Sequence, residues 1–195
     1  MTTPVEARPP AQGAPGLYLA DPEALPELTS AQLQEFWDPS DCPPHMIRLL
    51  TVQAVSACRR LAAGERLTGS VSHVPDDDIP AYSWMSVQVE RLGWEVVGAP
   101  VWAWARVDFE GLVSVWPSGA ADDVVVLVIE VPLGRTVLSA FDPWQELLDE
   151  GAAGTPSSRW AHCLDIADFP RSALQAVLPF IEAQDVVRAC RLRVR

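Results

Sequence analysis

One apolar segment, Val124 to Val131 with the sequence VVVLVIEV, limits the possible folds more than any other. It is rich in β-branched residues, it lacks the alternation of a half-buried strand, and Pro132 follows it. These features predict a central strand that is buried on both faces. A membrane helix needs roughly 20 apolar residues, and this run is the longest in the chain, so we expect no association with a membrane.

The rest of the chain mixes strand patterns with helix patterns. Several strands are close together in sequence, which favours a mixed, largely antiparallel sheet with packed helices, an α+β fold. The predicted strands are Ile47–Gln53, Val101–Val107, Leu112–Trp116, Thr136–Ala140, Ala173–Ile181 and Asp185–Val194, and the predicted helices are Ser30–Trp37, Ala54–Ala63, Pro80–Leu92 and one that Asp142 caps.

Length and composition indicate a single domain. The chain has 195 residues, of which 49% are hydrophobic, and this is enough for one full core. Residues 1–16 are rich in proline and poor in β-branched residues, so we expect a flexible leader followed by one α+β domain over 17–195, with its core from about residue 47. The first residues lack the basic and apolar regions of a signal peptide, which predicts a cytoplasmic protein.

The charge of the chain disfavours nucleic acid as a partner. The formal net charge is −12, and every basic residue is arginine. Binding to DNA or RNA depends on neutralising phosphates, which an acidic chain does poorly. The arginines concentrate only at Arg188, Arg191, Arg193 and Arg195, where the pattern is typical of an edge strand with one charged face; a binding patch is the alternative.

The sequence gives little indication of metal binding or of disulfide bonds. The four cysteines are scattered, so we expect them to be reduced. Cys42 with His45 and His162 with Cys163 offer four zinc ligands, but adjacent side chains on an extended segment point apart. We therefore predict no metal site.

Aromatic residues concentrate between Trp84 and Trp116, and they suggest two readings. Tyr82, Trp84, Trp102 and Trp104 can form an aromatic pocket for a planar ligand. Arg106, which we expect on the same strand face as Trp102 and Trp104, adds one cation, and this suits an anionic ring-bearing ligand such as a nucleotide. The alternative is that these aromatic residues are simply core.

Glu130 is the one polar group in the apolar strand, and it is the candidate catalytic residue. Burial raises the pKa of a carboxyl group, as a general acid or base near neutral pH requires. The alternative is a structural glutamate that reaches water or pairs with an arginine such as Arg106.

Several motifs resemble the bacterial domain-of-unknown-function family 3841. These are LLTVQA, AYSWM, the strand VWAWARV, and the run from Glu130-Val131-Pro132 to Trp144, followed later by LQAVLPFI. The resemblance covers most of the chain from about Ile47. Members of the family tend to have a histidine where this chain has Gln145, and the family itself implies no activity.

The layout is also similar to that of small ADP-ribosyltransferase-like domains. In those enzymes a polar strand residue holds the nicotinamide ribose of NAD, an aromatic residue stacks on nicotinamide, and a late glutamate assists cleavage. The resemblance implies Thr51 and Gln53 in the first role and Tyr82 or Trp84 in the second, whereas Val177 stands at the position of the glutamate.

These observations lead to two hypotheses of function. The first is a cytoplasmic bacterial protein whose tryptophan-rich pocket binds a small ligand such as NAD or another nucleotide, with ADP-ribosyltransferase-like ancestry. The second is a non-catalytic module whose leader and exposed aromatic surface dock a protein partner. The sequence identifies no cofactor.

Overall fold

The structure is a computed structural model that describes residues 18–108, 124–149, 160–170 and 173–192. The expected leader over 1–16 and the expected strand Leu112–Trp116 lie outside the described residues, as do Arg193 and Arg195.

Seven strands of the described residues form one mixed sheet. Its order is β1-β7-β4-β2-β3-β6-β5, and all neighbours are antiparallel except β1 and β7. The strands are β1 (Glu27–Leu28), β2 (Met46–Ala54), β3 (Val101–Arg106), β4 (Val124–Pro132), β5 (Val137–Ala140), β6 (Leu174–Leu178) and β7 (Val186–Leu192). The α+β class and the largely antiparallel sheet are therefore confirmed.

Four α-helices in the described part of the chain cover both faces of the sheet. They are α1 (Ser30–Phe36), α2 (Val55–Ala62), α3 (Ile79–Glu90) and α4 (Phe141–Asp149). The back face carries Leu49, Val101 and Leu127 and packs against α2. The front face carries Leu50, Trp102 and Trp104 and is covered by α1 at one side and by α3 and α4 at the other.

Side-chain alternation in β4 explains why this strand must be central. Val125, Leu127 and Ile129 belong to the back cluster, whereas Val126 packs at the front. All four are no more than 1% exposed, so this part of β4 is buried on both faces, as the continuous apolar run predicts.

Capping residues and glycines in the sequence predicted the ends of several helices correctly. Thr29 caps α1 in a capping box with Gln32, and glycines with positive φ follow α2 and α3, namely Gly64 at 83° and Gly93 at 88°. Leu92, expected on the buried stripe of α3, lies beyond the end of the helix and is 43% exposed.

Two expectations for the second half of the chain are wrong. Asp142 does not cap α4, because the helix begins one residue earlier at Phe141 and places Asp142 in its first turn. The last strand is not an edge strand along its whole length, because β1 pairs with Arg191 and Leu192 on its outer side. The segment Trp160–Ile166, which the sequence left unclassified, forms 3-10 turns.

Candidate functional site

A row of three side chains crosses the front face of the sheet. Trp104 on β3 is in register with Gln175 on β6, and Gln175 is in register with Ser139 on β5. Residues in register on neighbouring strands share a face, so the three side chains stand next to one another. We call them the front-face row.

Gln175 is the unusual member of the front-face row. The residue is 8% exposed, and its side-chain Oε1 atom is buried without a hydrogen-bond partner within the described residues. The indole Nε1 of Trp102, a diagonal neighbour on the same face, is also buried without a partner. A buried acceptor without a partner costs about 1–3 kcal/mol of stability, so this pair of groups needs an explanation.

The aromatic residues near the row pack against one another and do not surround a shared cavity. The ring centroids of Trp102 and Trp144 are 4.8 Å apart, and Tyr82 contacts each of them edge-on at 5.8 Å. Burial raises the pKa of the Tyr82 hydroxyl, and the charge of Asp78 raises it further. These three rings form the centre of the front-face core between α3 and α4.

The other predicted ligand-binding aromatic residues lie in separate contacts. Trp84 packs edge-on against Trp160 with a centroid distance of 5.9 Å. Trp104 packs against Phe141 at 5.2 Å and remains half-buried. Arg106 is exposed and donates a hydrogen bond to the carbonyl oxygen of Phe169 at 3.3 Å. The expectation that it shares the strand face of Trp104 is wrong, because the register shifts after Trp104 and pairs Arg106 with Leu174.

Thr51 and Gln53 lie on the back face of the sheet, away from Trp104. The register that pairs Leu50 with Trp104 places Leu50 on the front and turns its neighbour Thr51 to the back. Thr51 Oγ1 donates to the carbonyl oxygen of Trp102 at 2.9 Å, and Gln53 Nε2 donates to Thr51 Oγ1 at 2.8 Å. The predicted set of binding residues is thus divided between two faces.

Glu130 is held by Arg48 in an ion pair on the front face. The Nε atom of Arg48 donates to Glu130 Oε1 at 2.9 Å, and its Nη1 atom lies 2.6 Å from Asp41 Oδ1. Burial disfavours the charge of Arg48, but hydrogen bonds with Glu130 and Asp41 outweigh burial and raise its pKa above the ordinary value. The pairing of Glu130 with an arginine is therefore present, and the arginine is Arg48, not Arg106.

Sequence reasoning missed Arg48 and Gln175. Each interrupts an apolar strand, Arg48 within MIRLLTV and Gln175 within LQAVL. The same reasoning that singled out Glu130 could have found both of them, because a polar side chain that alternation places on a buried face needs a partner.

The four candidate zinc ligands are not brought together. Cys163 is buried, and its thiol contacts the carbonyl oxygen of Trp160 at 3.1 Å, while its neighbour His162 is exposed. In the described residues, the group whose atoms could share a metal ion is His162, Asp165 and Asp168, with ligand atoms within 4.8 Å of one another. All three are exposed, and exposed acidic groups often lie together without a metal.

Comparison with known proteins found no matching family model, no similar curated protein and no similar solved structure. Within the described ranges, none of the helices combines the length and the hydropathy needed to cross a bilayer.

Proposed function

We propose that the protein binds a planar ligand with a carboxamide group, of the nicotinamide type found in NAD, at the front-face row. One observation carries the proposal: the buried Oε1 atom of Gln175 and the buried Nε1 atom of Trp102 have no hydrogen-bond partner among the described residues. Buried polar groups in native proteins are nearly always paired, and a ligand supplies the pairing.

The two unpaired groups complement a carboxamide. Gln175 Oε1 accepts a hydrogen bond, and the indole N–H of Trp102 donates one. A carboxamide offers the reverse, an NH₂ donor next to a carbonyl acceptor. The two side chains are diagonal neighbours on adjacent strands, at a separation of roughly 7 Å between backbones, which long side chains can span.

Trp104 supplies the rest of the proposed site. The half-buried indole of Trp104 offers a surface on which a heterocyclic ring stacks. Arg106 is not part of this site, because the register shift after Trp104 pairs it with Leu174 and turns it off the face that carries Trp104 and Gln175.

The proposal is limited to binding. Val177, at the position where the ADP-ribosyltransferase-like resemblance expects a glutamate, belongs to the apolar cluster between α3 and α4. The carboxylate of Glu130 forms an ion pair with Arg48. We therefore include no cleavage step.

Calorimetry and thermal shift with nicotinamide, NAD, nicotinic acid and AMP test the proposal on the full chain. We expect nicotinamide and NAD to bind and nicotinic acid to bind at least about tenfold more weakly, since its carboxylate cannot donate to Gln175 Oε1. Equal binding of nicotinamide and nicotinic acid contradicts the assigned role of Gln175.

Two glutamine variants provide a matched pair for the same measurement. Gln175→Leu should abolish binding and, without ligand, should leave stability unchanged or raise it by about 1 kcal/mol, because the unpaired acceptor is removed. Gln53→Leu on the back face should leave binding unchanged. If Gln175→Leu binds nicotinamide like the unsubstituted protein, or if only Gln53→Leu loses binding, the proposed site is wrong.

A further inference from the structure

Exposed apolar side chains concentrate around α3 and the segments on either side of it. The most exposed is Val97 at 59%, followed by Val71 at 48%. Other large exposed apolar residues between 71 and 97 are Ile79, Val87, Leu92 and Trp94. An exposed apolar patch with polar surroundings marks an interaction site more often than chance.

A groove in this region has a size that fits one aliphatic side chain. Its volume is about 40 Å³, and the residues that line it include Val71, Ile79, Ser83, Ser86, Gly98 and Ala99. One water needs roughly 10–15 Å³ of such volume, so the groove has room for about three waters, or one branched aliphatic group. Ligand pockets for nucleotide-sized molecules begin at roughly 300 Å³, so this groove is not the nicotinamide site.

The floor of the groove is held by a close approach of two backbone segments. Gly69 and Ala99 exchange two backbone hydrogen bonds, at 3.0 Å and 3.1 Å. Gly98 has a φ of 81°, and a Cβ atom there would lie 2.6 Å from the carbonyl oxygen of Gly69. The groove is therefore part of the folded framework and does not need a partner to form.

The segments on either side of α3 are acidic. Residues 71–100 carry five carboxylates against one arginine. Asp76, Asp77 and Asp78 precede α3, and Glu90 and Glu95 lie at its other end, with Arg91 between them. None of these five carboxylates takes part in an ion pair with another described residue. The charge next to the apolar groove is thus open to a cationic partner.

The net charge of −12 disfavours a second copy of the chain as the occupant, because two acidic surfaces repel each other. We propose that the α3 groove binds an extended segment of a partner protein, in which a small aliphatic anchor is flanked by arginine or lysine. The anchor fills the groove beside Ser83 and Ser86, and the basic side chains face the carboxylates at the two ends of α3.

Fluorescence anisotropy with labelled nine-residue peptides tests this proposal on the full chain. The probes are a peptide of alternating arginine and valine, one with glutamate in place of arginine, and one with serine in place of valine. We expect only the arginine and valine peptide to bind, with an affinity that falls as salt rises. Equal binding of the arginine and serine peptide overturns the proposal, because the attraction is then charge alone, and so does a failure of all three peptides to bind.

Two serine-to-arginine variants locate the binding surface. Ser83→Arg places a long cation at the groove, on an exposed position of α3, and should weaken binding at least tenfold. Ser56→Arg adds the same charge at an exposed position of α2 on the back face, and binding should remain within about twofold. Equal affinities of the two variants overturn the proposal. So does a dimer in light scattering that Ser83→Arg dissociates, because the groove is then an interface between copies of this chain.

Discussion

At the scale of single residues, Arg48 is the polar group on which the front face most depends. Its side chain is 5% exposed, and it pairs with Glu130, which is 18% exposed, and with Asp41, which is 70% exposed. It also donates to the carbonyl oxygen of Asp38. One guanidinium thus joins β2, β4 and the loop after α1.

Replacing Arg48 should destabilise the protein strongly. Arg48→Leu leaves the mostly buried carboxylate of Glu130 without a counter-ion, and the expected loss is about 3–5 kcal/mol of unfolding free energy in urea titration. The double variant with Glu130→Leu should recover most of that loss, because no buried charge remains. A double variant no more stable than Arg48→Leu would contradict this account.

The four thiols should differ in reactivity towards alkylating reagents. Burial raises the pKa of Cys58 and of Cys190 to about 12, and it also raises the pKa of Cys163. Cys42 is half-exposed, and its pKa is raised by burial and by the charge of Glu130. Since the thiolate is the reactive form, native protein at pH 8 should be alkylated slowly and only at Cys42, as read by mass spectrometry.

Unfolding provides the control for this experiment. The same reagent in urea should modify all four cysteines rapidly, because none is in a disulfide. Rapid modification of Cys58 or Cys190 in the native protein would show that these thiols are less buried than described.

At the scale of secondary-structure elements, glycine conformation fixes the segment that leads into β3. Gly98 combines a φ of 81° with a contact to Gly69 that leaves no space for a side chain. A residue with a Cβ atom at such a φ costs about 1–2 kcal/mol even without a clash.

Gly98→Ala should therefore lower the unfolding free energy by more than about 2 kcal/mol, since strain and steric overlap add. Gly134→Ala is the matched control, because Gly134 has no positive φ and a Cβ atom there meets nothing within 4 Å. Its stability in the same urea titration should stay within about 0.5 kcal/mol of the unsubstituted protein. Similar losses in the two variants would show that the strain at Gly98 is absent.

The end of a helix can be predicted from the sequence where a neighbouring side chain determines it. It cannot be predicted where packing against a distant residue determines it. Thr29 and Gln32 define the start of α1 through their own hydrogen bonds, so the sequence suffices there. Asp142 has the composition of a cap, yet Phe141 joins the helix and packs on Trp104. Trp104 is far from Phe141 in sequence, and no local signal at Phe141 indicates this contact.

At the scale of the whole molecule, the central position of β4 and the class of the fold can be predicted from the sequence. Which side chains lie together at the candidate site cannot. Thr51 and Trp104 each lie on a recognisable strand. Whether they share a face depends on the register of β2 with β3, which pairs Leu50 with Trp104. A shift of one residue would exchange the faces, and nothing local in either strand specifies it.

The stability of the whole chain should fall at both ends of the pH range. Hydrogen bonds to Ser40 lower the pKa of Asp38, and those to Arg48 lower the pKa of Asp41, below the ordinary 3.8. A lowered carboxyl pKa gives stability that is present above about pH 3.8 and is lost as pH falls through the folded-state value. The raised pKa of Cys58 gives stability that is present below about pH 9 and is lost as pH rises towards 12.

Urea unfolding between pH 2.5 and 11 measures both losses, because this range extends at least about one unit beyond the ordinary pKa of each group. Asp41→Asn should reduce the slope on the acid side, and Cys58→Ala should reduce it on the alkaline side. An acid slope unchanged in Asp41→Asn would show that the contact with Arg48 does not persist in solution.

The close pair formed by Trp102 and Trp144 has an optical consequence. Two indoles with centroids 4.8 Å apart and planes inclined by 35° have coupled electronic transitions, and a coupled pair held in one orientation gives a circular dichroism signal of two bands with opposite sign. The rings come from β3 and α4, which are distant in the chain, so the contribution of this pair exists only when the helix packs on the sheet. The protein thus contains its own spectroscopic reporter of that packing, without any added label.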